Sequence, residues 1–247
     1  MPKLGKAPPK VHPKTLQLKK YLTGALPTPA SKVYREYKTP AEAIQMYGND
    51  EYGDCTCAGA ANLLILATCH TGDVVIPTLE EVLALYTKVS GFDPGPPPTN
   101  DNGAAMTDVL NELRTNGLSG HKILAWAQID HTNLQHRKIA CDLFGATYVG
   151  VQLPYHAQDQ FSNNQPWEVV QHDSIEGGHA IVRTGYGAAG DNYVTWAKWD
   201  QKANAAWSAA YVDEEYVLIT EDWINKATEL TPGGISLTEL EEDINLL

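Results

Sequence analysis

The sequence predicts an α+β fold of two lobes. Helical patterns crowd its first half, strand patterns its second, and residues 54–70 (DCTCAGAANLLILATCH) are apolar almost all round, as befits a helix buried on most sides. That segment is the expected central helix. The next, PTLEEVLALYTKVSG, carries Thr78 and Glu81 as a capping box, Val82, Leu83 and Tyr86 on one side, and Gly91 at its stop. A stiff loop, DPGPPPTNDNG, leads to a helix over 107–116 ended by Gly117, with Leu110 and Leu113 turned to the core. KILAWAQI reads as a strand, HTNLQHRKIACDLFG as a helix ended by Gly145, and ATYVGVQLP as a second strand. Residues 155–178 are expected to form a long polar loop of the kind that rims binding sites. HAIVRTGYG and NYVTWA should form a hairpin and EEYVLIT a further strand, while the tail ends in an acidic helix capped by Ser236 and Glu239.

Charge divides the chain. Residues 1–40 hold seven prolines and nine Lys/Arg against one acid, Glu36, whereas the remainder holds nine Lys/Arg against 29 acids within a net charge of −12. The arm is therefore expected to be extended and polyproline-like, to lack a core of its own, and to lie on an acidic surface, its own or a neighbour's. A basic arm alone would suit nucleic acid, but the acidic body argues against it. No apolar run approaches the roughly 20 residues of a membrane span. The N-terminus MPKLGKAPPKVHPK lacks the apolar stretch of a secretory signal, so residence in a cytoplasm, or in an assembled particle, is expected. Three parts follow: the arm over 1–40, a folded domain over 41–225, and an extension over 226–247.

Chemistry points to the first turn of the central helix. A cysteine there is favoured as a thiolate by unpaired backbone N–H groups and the helix dipole. Cys55 holds that place. Cys57 is about 200° further round the helix, so the two cannot face one cleft. Acyl transfer also needs a donor for the developing oxyanion. Asn49 lies six residues before Cys55, whereas Glu51, six before Cys57, cannot donate as a carboxylate, so Cys55 is preferred. The four cysteines do not suit a disulfide framework, and Cys55, Cys57, Cys69 and His70 lack the paired spacing of zinc ligands, so no metal or cofactor is expected.

YGNDEYGDCTCAGAANLL resembles the start of the papain family's central helix, where a donor glutamine precedes the catalytic cysteine by six residues as Asn49 precedes Cys55. GGHAIVRTGYG is similar to that family's histidine strand and matches His179 to the catalytic histidine. NYVTWAKW sits where the family has its Asn-Ser-Trp-Gly strand, with Trp196 on the tryptophan. YTKVSGFDP, VLNELRTNGLSGHKILAWA, DLFGATYVGVQLP and YVDEEYVLITEDWI further resemble a group of poorly characterised bacterial and phage papain-like proteins, over roughly residues 45–225. The resemblance implies a papain-like two-lobe fold with a central N-terminal helix and a C-terminal antiparallel sheet. It places Val194 where the asparagine that orients the histidine would stand. Of Asn192, Thr195 and Asp213, Asn192 is the expected substitute, because strand alternation turns it to the same face as Val194.

Two functions from different classes follow. One is a cysteine hydrolase of peptide or isopeptide bonds, with Cys55 as nucleophile, His179 as base, Asn49 and the Cys55 N–H as oxyanion donors and Asn192 orienting the histidine. The other is a catalytically silent papain-like domain used in assembly, such as a phage virion component whose arm binds neighbouring subunits. A third reading lays the arm over the cleft as a propeptide, although it lacks an amphipathic helix. Trp126, Trp196, Trp199 and Trp207 are read as core packing and the remaining histidines as surface residues.

Overall fold

The computed structural model describes residues 2–10, 15–20, 30–33, 43–71 and 74–220. Much of the arm and the whole of 221–247, including the capping box at Ser236 and Glu239, lie outside the described residues. The helices of the first half are α1 (Cys55–Thr71), α2 (Leu79–Ser90) and α3 (Met106–Thr115). In α2 the Thr78 hydroxyl accepts from the Glu81 N–H at 3.2 Å, the Glu81 carboxylate accepts from the Thr78 N–H at 2.7 Å, and Gly91 closes the helix at φ 75°.

The second half is the sheet with three further helices. Strands β1 (Leu16–Gln17), β2 (Lys32–Val33), β3 (Ile123–Gln128), β4 (Thr147–Pro154), β5 (Ile175–Gly187), β6 (Gly190–Thr195), β7 (Lys198–Ala203) and β8 (Val212–Thr220) lie in the order β1-β3-β8-β4-β5-β6-β7, with β2 paired to β5. β1 runs parallel to β3 and the other pairs are antiparallel. Helices α4 (Leu134–Phe144), α5 (Tyr155–Ser162) and α6 (Ala205–Tyr211) complete the chain. Residues 155–178 are thus not one loop. Ala157, Phe161 and Trp167 anchor them in a core cluster, Trp167 Nε1 donates to the Ala157 carbonyl at 2.8 Å, and β5 begins four residues before His179.

α1 is the hub of the larger core cluster, packed with α2 and α3 against Tyr148, Ala180, Val182 and Val194 of the sheet. Gly59 lets it come close, since a Cβ there would stand 3.1 Å from the Tyr148 ring and 3.7 Å from the Ala180 carbonyl oxygen. A mid-helix glycine costs about 1 kcal/mol, so a packing role accounts for it. On the opposite face α4 packs over β3 and β8, and Leu18 of the arm joins that cluster.

A polar cluster lies inside this frame. Arg183 on β5 donates from Nη2 to Asp191 Oδ1 on β6 at 2.6 Å and from Nη1 to Glu215 Oε1 on β8 at 3.4 Å. Arg137 on α4 donates from Nε to Glu215 Oε2 at 2.6 Å, and the Thr147 hydroxyl of β4 donates to Glu215 Oε1 at 2.5 Å. Buried charges persist only when paired and hydrogen-bonded in this way.

Candidate active site

Cys55 is the first residue of α1 and is buried. The Asp54 carbonyl accepts from the N–H groups of Cys57 and Ala58, and Tyr148 Oη donates to the Thr56 carbonyl at 2.5 Å, which pins the first turn to β4. The backbone at Ala180 on β5 and at Gly5 of the arm lies near the Cys55 thiol and favours its ionised form, against the larger effect of burial. Cys57 is also buried, and its sulfur lies 4.0 Å from the Thr56 hydroxyl.

His179 shares one small cavity with Cys55, Asn49, Thr195 and Trp196. Its imidazole stacks on the Trp196 indole with ring centroids 4.5 Å apart, and its Nε2 lies 2.8 Å from Thr195 Oγ1. Nδ1 is buried and has no hydrogen-bond partner. Trp196 Nε1 donates to Asn49 Oδ1 at 3.0 Å, so the indole does more than fill core space: it holds both the imidazole and the asparagine amide. The chain accepts positive φ at Trp196 (46°) and Ala197 (59°) to make the tight turn from β6 to β7. Such backbone in non-glycine residues persists only where surrounding contacts enforce it.

The expectation for Asn192 needs correction. Asn192 pairs with Gly185, while Val182 pairs with Val194, so the cross-strand neighbours of His179 lie beyond Val194. Asn192 sits level with a residue six positions along β5 from His179, roughly 20 Å away at the rise of a strand. Val194 is buried in the α1 core, and Thr195 faces the imidazole. Thr195 was legible as an alternative. Strand alternation misled because it was anchored on Val194, whereas the imidazole meets the next residue, Thr195, where β6 ends and turns to β7.

Residues 3–7 of the arm lie against the candidate site of their own chain. Lys3 N–H donates to the Asn49 carbonyl at 2.7 Å, and Asn49 Nδ2 donates to the Lys3 carbonyl at 3.1 Å and to the Tyr52 carbonyl at 3.0 Å. The Gly5 backbone lies near the Cys55 thiol. Lys6 N–H donates to the Gly178 carbonyl at 3.0 Å, and the segment runs parallel to residue 104, with Ala104 N–H to the Gly5 carbonyl at 2.8 Å and Ala7 N–H to the Ala104 carbonyl at 2.9 Å. Glycines make room for it: a Cβ on Gly5 would overlap the Gly53 carbonyl, one on Gly103 the Gly5 carbonyl, and one on Gly178 the Lys6 carbonyl. Lys6 pairs with Asp213 and Glu214, and Lys10 with Asp108, so the basic arm meets acidic groups of its own body.

With the arm seated, burial pushes the Cys55 thiol up to about 12 and the His179 imidazole down to about 3, the latter helped by the Lys6 charge. Both groups are neutral at pH 7, and no thiolate–imidazolium pair forms. Burial also raises Asp54 from 3.8 to about 8, opposed next in size by the Asn49 amide, while Asp101 and Asp50 add to the rise. A carboxyl that holds its proton more tightly when folded contributes stability that is full below pH 3.8 and lost as the pH rises through about 8. His179 acts oppositely: its stability contribution is lost as the pH falls from 6.5 towards 3. Asp54→Asn is expected to flatten the fall in melting temperature between pH 5 and 9, read by circular dichroism. An unchanged slope would mean that the carboxyl is already ionised in the fold.

Among the described residues no helix is long and apolar enough to cross a membrane. No protein-family model matches the chain, and no curated protein matches it. Solved structures do. Xylellain, a cysteine protease from Xylella fastidiosa, superposes with a TM-score of 0.68 at 15% identity over 89% of this chain and 96% of that one. Digestive procathepsin L 3 from the larval midgut of Tenebrio molitor gives 0.61 at 12% identity, covering 88% and 76%. ProCathepsin B S9 from Trypanosoma congolense gives 0.59 at 11% identity, covering 89% and 87%. At such identities the likeness speaks of fold, and on that ground the chain adopts the papain-like α+β fold.

Proposed function

We propose that the chain is a papain-like cysteine hydrolase acting on peptide or isopeptide bonds, held closed by its own arm. The observation that carries this reading is the imidazole: tethered at Nε2 by Thr195, stacked on Trp196, and left with an unpartnered Nδ1 in the cavity that holds Cys55. When Nε2 carries the ring proton and donates to the threonine hydroxyl, Nδ1 is a free lone pair, as a general base requires. Nδ1 takes the thiol proton, and the sulfur attacks the acyl carbon. The oxyanion is received by Asn49 Nδ2–H and by the Cys55 N–H, which as the first in its helix has no intrahelical partner. The imidazolium returns the proton to the leaving nitrogen as the C–N bond breaks. Water, deprotonated by the same nitrogen, then displaces the thioester sulfur. Asn49 Nδ2 already donates to a carbonyl oxygen, that of Lys3, which supports its oxyanion role.

Thr195 is a positioning residue, and a weaker one than an asparagine would be. A side-chain carbonyl can only accept and so selects the tautomer, whereas a hydroxyl can donate or accept. Thr195→Val is expected to lower kcat by about tenfold or more with KM nearly unchanged, and to shift the acid limb of the pH–rate profile. Thr195→Ser should restore most of the rate. The test of the reading as a whole is hydrolysis of fluorogenic peptide amides by a chain lacking residues 1–10. Loss of that activity in both Cys55→Ser and His179→Ala is the expected result. Activity surviving either substitution would overturn the assignment.

The silent-domain reading has its arm on neighbouring subunits. Residues 3–10 instead engage Asn49, Cys55, Asp108, Gly178, Asp213 and Glu214 of the same chain, which favours the arm as a propeptide-like plug.

A further inference from the structure

The Lys6 side chain is fully buried beneath the cleft. Its Nζ lies 3.0 Å from Asp213 Oδ2 and 3.0 Å from Glu214 Oε1, with no exposed side-chain surface of its own. Around its stem stand Met106 and Glu214, both converging with the lysine Cδ on the space left open by Gly150, where a Cβ would stand 2.9 Å from Met106 Sδ and 2.5 Å from Glu214 Cγ. The two carboxylates are held from behind. Tyr216 Oη donates to Glu214 Oε2 at 2.6 Å, and Gln152 Nε2 to Asp213 Oδ2 at 2.6 Å. Asp213 Oδ1 is buried and has no partner. This is a built receptor for one long cationic side chain, with an acceptor to spare.

Its position gives it a use beyond holding the arm. The residue before Lys6 lies near the Cys55 thiol, and Lys6 itself donates its N–H to the carbonyl of Gly178, next to His179. An extended peptide following the arm's track would carry one side chain into the same pocket close to Cys55 and His179. We propose that the Asp213–Glu214 pocket is the specificity pocket of the cleft, selecting substrates with lysine or arginine beside the scissile bond, and that Lys6 is the arm's imitation of that side chain. The proposal rests on the hydrolase reading for its meaning as specificity. A neutral or acidic side chain would leave two carboxylates facing apolar atoms or each other, and sites built on polar pairing reject such analogues strongly. Arginine has more donors than lysine and can reach Asp213 Oδ1 as well.

The full chain carrying Gly5→Val together with Lys6→Ala, which unseats the arm and empties the pocket, tests this in two ways. The first is alkylation of Cys55 by peptidyl chloromethyl ketones with arginine, lysine, norleucine or glutamate at the pocket position, followed by mass spectrometry. Lysine and arginine probes are expected to react at least about 100-fold faster than norleucine, with the ratio falling below about tenfold when Glu214→Gln is added to the same chain. Norleucine reacting as fast as lysine would overturn the proposal while leaving the hydrolase reading intact; inertness of Cys55 to every probe would overturn both. The second readout needs no cysteine chemistry. Butylammonium chloride is expected to raise the melting temperature of Gly5→Val/Lys6→Ala saturably, and butanol with matched sodium chloride is not. An equal effect of the two, or none from either, would mean that the pocket does not select a cation.

Discussion

Replacing Gly5 with valine is expected to raise the rate at which iodoacetamide labels Cys55 at pH 7 by roughly two orders of magnitude or more. The Gly5 α-carbon runs so close to the Gly53 carbonyl that any side chain there overlaps it, and the Gly5 carbonyl in turn crowds Gly103. The segment cannot stay seated. Its departure admits water to Cys55 and His179, whose titrations are displaced to about 12 and about 3 chiefly by burial. A thiol at about 12 rather than 9.0 is a thiolate about a thousand times less often at neutral pH, so exposure alone accounts for a change of this size. The sign is fixed by the cause: less burial lowers the thiol and raises the imidazole. The helix start and the Asn49 spacing suggest a Cys55 that is reactive near pH 6, and on the proposed reading that reactivity should appear once the arm is unseated. Deleting residues 1–10 should act like Gly5→Val. Slow labelling in both variants, no faster at Cys55 than at Cys57, Cys69 or Cys141, would mean that the arm is not what silences the thiol.

Arg183→Met is expected to destabilise the domain by about 3–5 kcal/mol, the usual cost of removing one partner from a buried ion pair. For a domain of this size that is a fall in melting temperature on the order of 10 °C. Arg183 lies between Asp191 and Glu215, and its removal strands carboxylates on two strands. Arg137 already binds Glu215 through Nε and lies 3.5 Å from Asp191, so it can cover only part of the loss. Arg183→Lys should recover little, because one ammonium cannot reproduce the planar fork that bonds both acids. Urea unfolding at pH 7 measures it; a loss under 1 kcal/mol would mean that the cluster is hydrated and its charges only weakly coupled.

Local patterns announced themselves in the sequence where a single short-range rule governs the structure. The capping box of α2, the glycine stops after residues 90 and 144, and the apolar content of 55–69 each depend on contacts within one element, and each is found in the fold. Cys55 as the opening residue of α1 was legible for the same reason. β7 and α6 were not. KWDQKA alternates weakly and becomes a strand only as the partner of β6, and AAWSAAY has little amphipathic signal beyond Trp207, held in place by its Asn204 cap and the Trp167 stack.

By itself the sequence determined the α+β order of elements, the helix that starts at Cys55, the strand that carries His179, and a basic arm opposed to an acidic body. Only the tertiary structure decided which group meets the imidazole, because the pairing of Val182 with Val194 leaves Asn192 level with a residue far along β5 and sets Thr195, just before the positive-φ turn, at that place. It also decided where the arm goes. Charge complementarity says that lysines seek carboxylates, but it acts over distances too long to name a partner; the choice of Lys6 for Asp213 and Glu214 comes from shape, from the glycines at 5, 103 and 178 that let two backbones touch, and from a pocket that no stretch of sequence contains.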